Sequence, residues 1–320
     1  MTRRIPRNRA QRDLDRPDRE RFATRTLTAD CAGGSCRGRL YLPSSDASAP
    51  AEDPPVVVMG PEIGAEATFG LPAVAERFAA AGYAAFRFDY PGFGDSDGDD
   101  QRIDPAGHRR AYAAAVDRVQ EVPDLGSSVV AYGAGFAAAH ALWVAEERRA
   151  VDAVMAITPI LDGGAYLRRR GLGPFARAVG AGIRGRIGEA LPGGVAGGRV
   201  VPIAGDPEDR AVVAAPGAKR AYLDLVDRDS DWRNETPAGS LLSIARADVT
   251  DRLADVRVPA LMLAGADDVL APVDAVERAA DRLPRGTYVR LPADHWSVYS
   301  TDFEPAIGHQ LSFLTDVFAD

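Results

Sequence analysis

The chain has 320 residues, a net charge of -8 and an apolar fraction of 46%, which suffice for one large α/β core. The acidic balance argues against nucleic acid as a general partner. The sequence has no unbroken apolar run long enough to span a membrane, and its N-terminus lacks the apolar segment of a signal peptide. We therefore expect a cytoplasmic protein that acts on a small molecule, with a homodimer as the oligomer to test for.

The first part of the chain divides into three stretches. Residues 1–22 are rich in arginine, mixed in charge and poor in apolar side chains, so we expect a disordered leader. Residues 25–43 have the pattern of a β-hairpin and contain both cysteines, Cys31 and Cys36. We expect reduced thiols, as is usual in the cytoplasm, with a cross-strand disulfide as the alternative. Residues 44–54 have the composition of a loop.

From residue 55 onward, apolar strands alternate with amphipathic helices. This alternation predicts a doubly wound, mostly parallel sheet covered by helices on both faces. Residues 160–245 interrupt the rhythm with a Gly-, Arg- and Pro-rich stretch, which we interpret as a cap insertion over the ligand crevice. The predicted core is therefore 23–159 together with 246–320. The expected strands are 55–60, 84–90, 127–133, 151–159, 260–265 and 287–292, and the expected helices include 71–83, 104–122 and 303–318.

The stretch VVAYGAGFAAAH (129–140) combines a buried strand, a glycine turn and a helix. This is the geometry of the nucleophile elbow, G-x-S-x-G, but the central position is Gly135. A later loop carries Asp267 and Asp268, and His295 follows the next predicted strand. The chain order is thus elbow, acid and histidine, which is the order Ser-Asp-His of α/β-hydrolases.

Taken together, these features resemble the α/β-hydrolase superfamily, closest to its dienelactone-hydrolase-like and peptidase-like esterases, over roughly residues 25–320. GADDVLAP is similar to the superfamily's acid loop, which implies Asp268 as the acid, with Asp267 as the alternative. DHWSVY is similar to its histidine loop, which implies His295 as the base. FDYPGFGDSDG (88–98) and DWRNETPA (231–238) also resemble superfamily segments. The resemblance implies the α/β-hydrolase fold with a cap.

Two departures from the superfamily pattern change the expected chemistry. Gly135 stands where the nucleophilic serine would be, so no acyl-enzyme can form there. We expect this glycine to leave room for a substrate or a water below His295. Pro61 and Glu62 stand where the superfamily has His-Gly in its oxyanion loop. A carboxylate in that place repels a developing oxyanion, which argues against ordinary ester hydrolysis, and it can instead serve as a general acid or base.

We therefore expect a cofactor-free, non-hydrolytic enzyme, namely a lyase, isomerase or cyclase. By analogy with altered triads on this fold, its substrate is a carbonyl-rich small metabolite of secondary metabolism. His295 with Asp268 is the predicted base, and Glu62 its proton-transfer partner. A hydrolase with a His-activated water and a non-catalytic binding protein are the alternatives. No metal site or nucleotide fingerprint is evident. The predicted substrate-binding residues are Pro61, Ile63, Tyr132, Ala134, Gly135, Phe136, Trp296 and Tyr299.

Overall fold

The computed structural model describes residues 8–32, 34–47, 53–190 and 200–319. Its central strands are short apolar runs with every residue buried, as expected where both faces of a parallel sheet are covered. The strands of the main sheet are β1 (Phe22–Cys31), β2 (Gly34–Pro43), β3 (Val56–Gly60), β4 (Ala84–Phe88), β5 (Val129–Ala134), β6 (Val151–Ile157), β11 (Ala260–Gly265) and β12 (Gly286–Leu291).

The main sheet has the strand order β1-β2-β4-β3-β5-β6-β11-β12. In this sheet, β3, β4, β5, β6, β11 and β12 pair in parallel with their neighbours among these six strands. Strand β1 pairs antiparallel with β2, and β2 pairs antiparallel with β4. The predicted doubly wound, mostly parallel sheet is therefore confirmed, with the predicted hairpin as an antiparallel edge.

Helices flank this sheet and supply the rest of the core. Helix α1 begins with Leu71 and Pro72, where proline lacks only an N–H that the first turn leaves unpaired anyway. Helix α2 begins in the same way at Pro105. The helices are α1 (Leu71–Ala80), α2 (Pro105–Val119), α3 (Ala137–Glu147), α4 (Gly163–Arg168), α5 (Leu172–Ala190), α6 (Ala218–Asp224), α7 (Ser240–Ala245), α8 (Val273–Ala280) and α9 (Phe303–Phe318), with 3-10 turns at Arg19–Arg21, Thr250–Asp255 and Ser297–Tyr299.

Two expectations about the N-terminal part differ from the structure. Cys31 and Cys36 form a disulfide with a Cα–Cα distance of 5.9 Å, rather than the reduced thiols expected. The expected disorder of the leader is wrong for its described part, because Asn8 and Gln11 are buried. The Gln11 side-chain amide donates to the carbonyls of Gly70 and Tyr299, which compensates for the few apolar residues of this segment.

The stretch predicted as a cap contains α4 to α7 and four two-residue strands. It is anchored to the sheet side of the molecule by polar contacts: the Gln101 amide donates to the carbonyls of Arg233 and Glu235, and Ser240 accepts from the N–H of Ile103. Across the described ranges, no helix combines the length and apolar character needed to cross a bilayer. The short strands are β7 (Val200–Val201), β8 (Ala204–Gly205), β9 (Val213–Ala214) and β10 (Thr236–Pro237).

Candidate active site

Four loops that follow parallel strands carry the candidate residues. Glu62 follows β3, Gly135 follows β5, Asp268 follows β11 and His295 follows β12. The carboxyl ends of parallel strands lie at one edge of a sheet, where ligands bind in open α/β folds. The structure accordingly brings the four positions together, although they are far apart in sequence.

The turn between β5 and α3 is built from two glycines with different tasks. A β-carbon on Gly133 would lie 2.2 Å from the carbonyl oxygen of Ala137, so only glycine lets strand and helix approach this closely. Gly135 has a φ of +54°, and a β-carbon there would lie 1.4 Å from Oε2 of Glu62. The expectation that Gly135 leaves room for a substrate is therefore wrong, because the Glu62 carboxylate fills that room.

The two carboxylate oxygens of Glu62 have different partners. Oε1 accepts hydrogen bonds from the backbone N–H of Ile63 at 2.7 Å and from that of Phe136 at 2.9 Å. In this fold, the N–H after the nucleophile position and an N–H of the β3 loop form the oxyanion hole. Oε2 lies 3.3 Å from Nε2 of His295. One carboxylate thus accepts both N–H groups and also faces the histidine.

The histidine is held from its other side by Asp268. Nδ1 of His295 lies 2.7 Å from Oδ2 of Asp268. Oδ1 of Asp268 accepts from the N–H groups of Leu270 and Ala271, both at 2.8 Å, which fixes the carboxylate. Asp267, the alternative acid, is exposed. Asp268 is therefore the acid partner of the histidine.

The electrostatics of this buried Glu62–His295–Asp268 triad favour a charged imidazole. Burial by itself lowers the pKa of His295, but the charge of Asp268, its hydrogen bond, and the hydrogen bond and charge of Glu62 outweigh burial and raise the pKa to about 10. At neutral pH, His295 is therefore an imidazolium and a proton donor. His295 was predicted to act as a base with Glu62 as its proton-transfer partner, and the raised pKa makes the imidazolium its form at neutral pH.

Aromatic side chains from residues 160–245, the stretch predicted as a cap, lie beside the triad, and they were not among the predicted site residues. The Tyr222 hydroxyl donates to the carbonyl of Ile63 at 2.8 Å, and Trp232 Nε1 donates to that of Gly64 at 2.8 Å. The ring of Tyr222 also contacts that of Trp296 at 5.2 Å. The only sequence signal for these residues was the family-like segment DWRNETPA, which contains Trp232.

The predicted substrate-binding residues fall into groups. The Trp296 ring lies 4.8 Å from that of His295, so Trp296 is at the site. Phe136 contributes its backbone N–H, whereas its ring packs on His140. Tyr132 and Tyr299 are both buried. Pro61, Ile63 and Ala134 are buried at the same sheet edge.

The charge of Glu62 adds to burial in raising the pKa of both Tyr132 and Tyr299. Their phenols therefore stay neutral and can donate a hydrogen bond.

A hollow of about 260 Å³ opens beside the acid loop, lined in part by Tyr166, Arg170 and Leu270. In the residues that the structure describes, no three His, Cys, Asp or Glu side chains group as metal ligands.

Comparisons with known proteins agree on the family. Residues 64–292 match the family described as serine aminopeptidase, S33. The chain is 28% identical to the quorum-quenching protein AidA of Acinetobacter baumannii over 284 residues, which covers 87% of this chain and 90% of that protein.

Two solved structures share the fold. DcsB, solved in complex with its substrate analogue, superposes with a TM-score of 0.75 at 20% identity and covers 93% of this chain and 100% of its own. The α/β hydrolase GrgF from Penicillium sp. sh18 gives a TM-score of 0.72 at 18% identity, with the same coverage.

Proposed function

The chain belongs to the serine aminopeptidase S33 family of the α/β-hydrolase superfamily, and from that premise we propose that it is an enzyme that has replaced acyl transfer by proton transfer. Glycine at position 135 stands in for the nucleophilic serine, and the reaction is a cofactor-free elimination, isomerisation or cyclisation. The substrate class is a carbonyl-rich small metabolite of secondary metabolism. The single observation that supports this proposal is the placement of the Glu62 carboxylate in the oxyanion hole and against His295.

This placement works against serine-type hydrolysis in two ways. Gly135 offers no side-chain nucleophile, and the Glu62 carboxylate takes the space that a β-carbon at this position would need. The oxyanion hole also cannot receive the carbonyl oxygen of an ester while Oε1 of Glu62 accepts both of its N–H groups.

The same placement favours proton transfer at a carbon next to a carbonyl group. Oε2 of Glu62 takes the proton from carbon, while Nε2–H of His295 is the acid that protonates the developing enolate or leaving oxygen. The raised pKa of His295, about 10, keeps that acid protonated at neutral pH. The neutral phenols of Tyr132 and Tyr299 can donate a hydrogen bond to a substrate carbonyl.

Hydrolysis is the second candidate, because the matching family is described as serine aminopeptidase. In this alternative, His295 activates a water that attacks the substrate directly. Such a water requires a neutral imidazole, which the raised pKa of His295 disfavours at neutral pH.

The test is hydrogen exchange on carbonyl compounds. Small β-dicarbonyl compounds and lactones are incubated with the protein in deuterium oxide, and deuterium at the α-carbon is followed by mass spectrometry. We expect Glu62→Gln and His295→Ala to lower the exchange rate by about a hundredfold or more. The matched control Asp267→Asn changes an exposed carboxylate beside the triad, and it leaves the rate unchanged.

Full exchange in both Glu62→Gln and His295→Ala would overturn proton transfer by this triad. The same incubations in heavy-oxygen water decide the alternative. Heavy oxygen in the product identifies hydrolysis, whereas a product free of the label fits elimination, isomerisation or cyclisation.

A further inference from the structure

Another hollow, of about 300 Å³, lies between the hairpin β1–β2, the loop at residues 61–70 and residues 227–231 of the predicted cap. We call it the hairpin hollow. Its volume is at the lower end of the range for small-molecule sites. None of the three triad residues lines it, so the proposed proton transfer makes no use of this space.

The lining of the hairpin hollow is rich in charged side chains of both signs. Its three cations are the guanidinium groups of Arg37, Arg39 and Arg87. Its six anions are the carboxylates of Glu66, Asp89, Asp95, Asp227, Asp229 and Asp231. A ligand that complements this lining therefore carries both signs of charge, with more positive charge than negative.

Arg87 is the buried cation of the hairpin hollow, with 8% of the residue exposed. Its Nε donates to the hydroxyl of Tyr41 at 3.0 Å, and this is the one hydrogen bond that the guanidinium makes within the described ranges. A guanidinium has five N–H donors in a planar fork that matches a carboxylate. The remaining donors of Arg87 are therefore available to an anionic group in the hollow.

Three of the carboxylates, those of Glu66, Asp89 and Asp227, are as deeply buried as Arg87. The hydroxyl of Ser230, a neutral donor, hydrogen-bonds to Glu66 at 2.8 Å. Burial raises the pKa of all three carboxyl groups, that of Asp89 to about 7, although the charge of Arg87 opposes this at Asp89 and Asp227. A cationic group in the hollow would supply the missing compensation.

We propose that the hairpin hollow binds a basic α-amino acid, with the ligand's carboxylate on Arg87 and its two cationic groups on the three buried carboxylates. The site is separate from the triad, so this inference goes beyond the proposed proton transfer and does not depend on it.

Other small charged ligands complement the hairpin hollow less well. A diamine leaves the donors of Arg87 unused and adds a cation beside the guanidinium. A neutral amino acid pairs with Arg87 but brings only one cationic group to three buried carboxylates. A basic amino acid satisfies both sides of the hollow at once.

The experiment is isothermal titration calorimetry at low ionic strength with three probes of similar length. L-Lysine carries the full set of charges, cadaverine lacks its carboxylate, and 6-aminohexanoate lacks its α-ammonium group. We expect one L-lysine to bind per chain, and each truncated probe to bind about tenfold or more weakly by comparison. Cadaverine or 6-aminohexanoate binding as tightly as L-lysine would overturn the proposal, as would the absence of saturable binding of both L-lysine and L-arginine.

Variants place the binding in the hairpin hollow. Arg87→Met removes the guanidinium but keeps a long side chain, and it should weaken L-lysine by about tenfold or more without weakening cadaverine. Asp227→Asn should weaken both probes, because both present a cation to this carboxylate. Asp251→Asn, which changes a side chain that is 99% exposed, is the matched control and should leave all affinities unchanged.

Melting curves show whether each variant is folded. If Arg87→Met does not fold, the comparison of L-lysine with cadaverine on the unmodified protein still tests the carboxylate contact, and Asp227→Asn still tests the location. L-Lysine binding that is unchanged in Asp227→Asn would overturn the assignment to this hollow. These titrations involve no turnover, so their failure leaves the proposed proton transfer untouched, and a failed deuterium exchange leaves this binding site untouched.

Discussion

A β-carbon at position 135 and the carboxylate of Glu62 require the same space, since the two would lie 1.4 Å apart. This makes the two residues dependent on each other. A serine at 135 can be reached by the histidine only if the side chain at 62 is small, and a glutamate at 62 adopts its observed position only beside a glycine. Function at this site is therefore a property of the pair.

This dependence gives a prediction for exchanging both residues. In Gly135→Ser/Glu62→Gly, a serine hydroxyl can take the place of Oε2 near His295, and the N–H groups of Ile63 and Phe136 become free for an oxyanion. We expect a burst of p-nitrophenolate from p-nitrophenyl acetate, followed by slow turnover. Gly135→Ser alone should show no burst, because Glu62 still occupies the hole. A burst from the single variant would contradict the steric argument.

The charged histidine predicts how stability depends on pH. The pKa of His295 is raised to about 10 in the folded protein, against its ordinary 6.5, so the folded state binds an extra proton between these values. Its contribution is complete below pH 6.5 and is lost as the pH rises through about 10. We expect the urea midpoint of the unmodified protein to fall across this range, measured as a difference from His295→Gln. Parallel curves for the two proteins would contradict the raised pKa.

The identities of the site residues could be predicted from the sequence, but the positions of their side-chain atoms could not. The similarity of GADDVLAP to the superfamily's acid loop was enough to select Asp268 over Asp267, and the rewritten oxyanion loop was enough to select Glu62. Neither sequence pattern predicts side-chain conformations. The filling of the Gly135 position, and the imidazolium between two carboxylates that results from it, depend on where Oε1 and Oε2 point.

At the scale of elements, the loop that carries Glu62, residues 61–70, is held by the cap. Tyr222 and Trp232 donate to the carbonyls of Ile63 and Gly64, and Ser230 donates to the carboxylate of Glu66 at 2.8 Å. Three separate donors from residues 222–232 therefore hold the loop that carries Glu62. The cap of this protein acts on the triad through the backbone of that loop.

Removing one of these donors tests the role of the cap. Trp232→Phe keeps an aromatic ring against Phe69, at 5.5 Å in the structure, but removes the hydrogen bond to Gly64. We expect a stability loss of about 1 kcal/mol in urea titrations, together with a lower deuterium-exchange rate on the carbonyl probe. Trp143→Phe, on helix α3, is the matched control and should leave the exchange rate unchanged. Equal exchange rates for Trp232→Phe and the unmodified protein would contradict a role of the Trp232–Gly64 hydrogen bond in positioning the loop of Glu62.

The elements themselves were largely readable from the sequence, because apolar runs and helical spacing dominate the core. The hairpin, the six parallel strands and the final helix all form near the predicted residues. The strand predicted for 84–90 ends at Phe88, since Asp89 turns away to accept the N–H of Ala67 at 2.6 Å. The cap was not readable, because its short elements are held by side-chain bonds to distant carbonyls rather than by periodic apolar faces.

At the scale of the whole molecule, the N-terminal segment links the cap to the sheet edge. The N–H of Ala10 donates to the carbonyl of Asp224 at 2.9 Å, and Gln11 donates to Gly70 and Tyr299. Disorder was predicted for this segment because it has few apolar residues. The segment is ordered instead by hydrogen bonds to buried carbonyls, which composition cannot reveal.

The link predicts a stability effect out of proportion to the length of the segment. Gln11→Ala leaves the carbonyls of Gly70 and Tyr299 without their donor, and we expect a loss of about 1–3 kcal/mol in the free energy of unfolding. The neighbouring exposed residue provides the control, Arg12→Ala, for which denaturant curves should be unchanged. If both variants unfold at the same denaturant concentration, the segment does not contribute to the stability of the folded chain.

The carboxylate in the oxyanion hole also decides which reagents can detect this protein. Fluorophosphonates and boronic acids react with an activated serine and place an anionic oxygen between the two backbone N–H groups of the hole. Here those groups already bind Oε1 of Glu62, and position 135 has no hydroxyl. Activity-based profiling of serine hydrolases would therefore pass over this chain in a proteome.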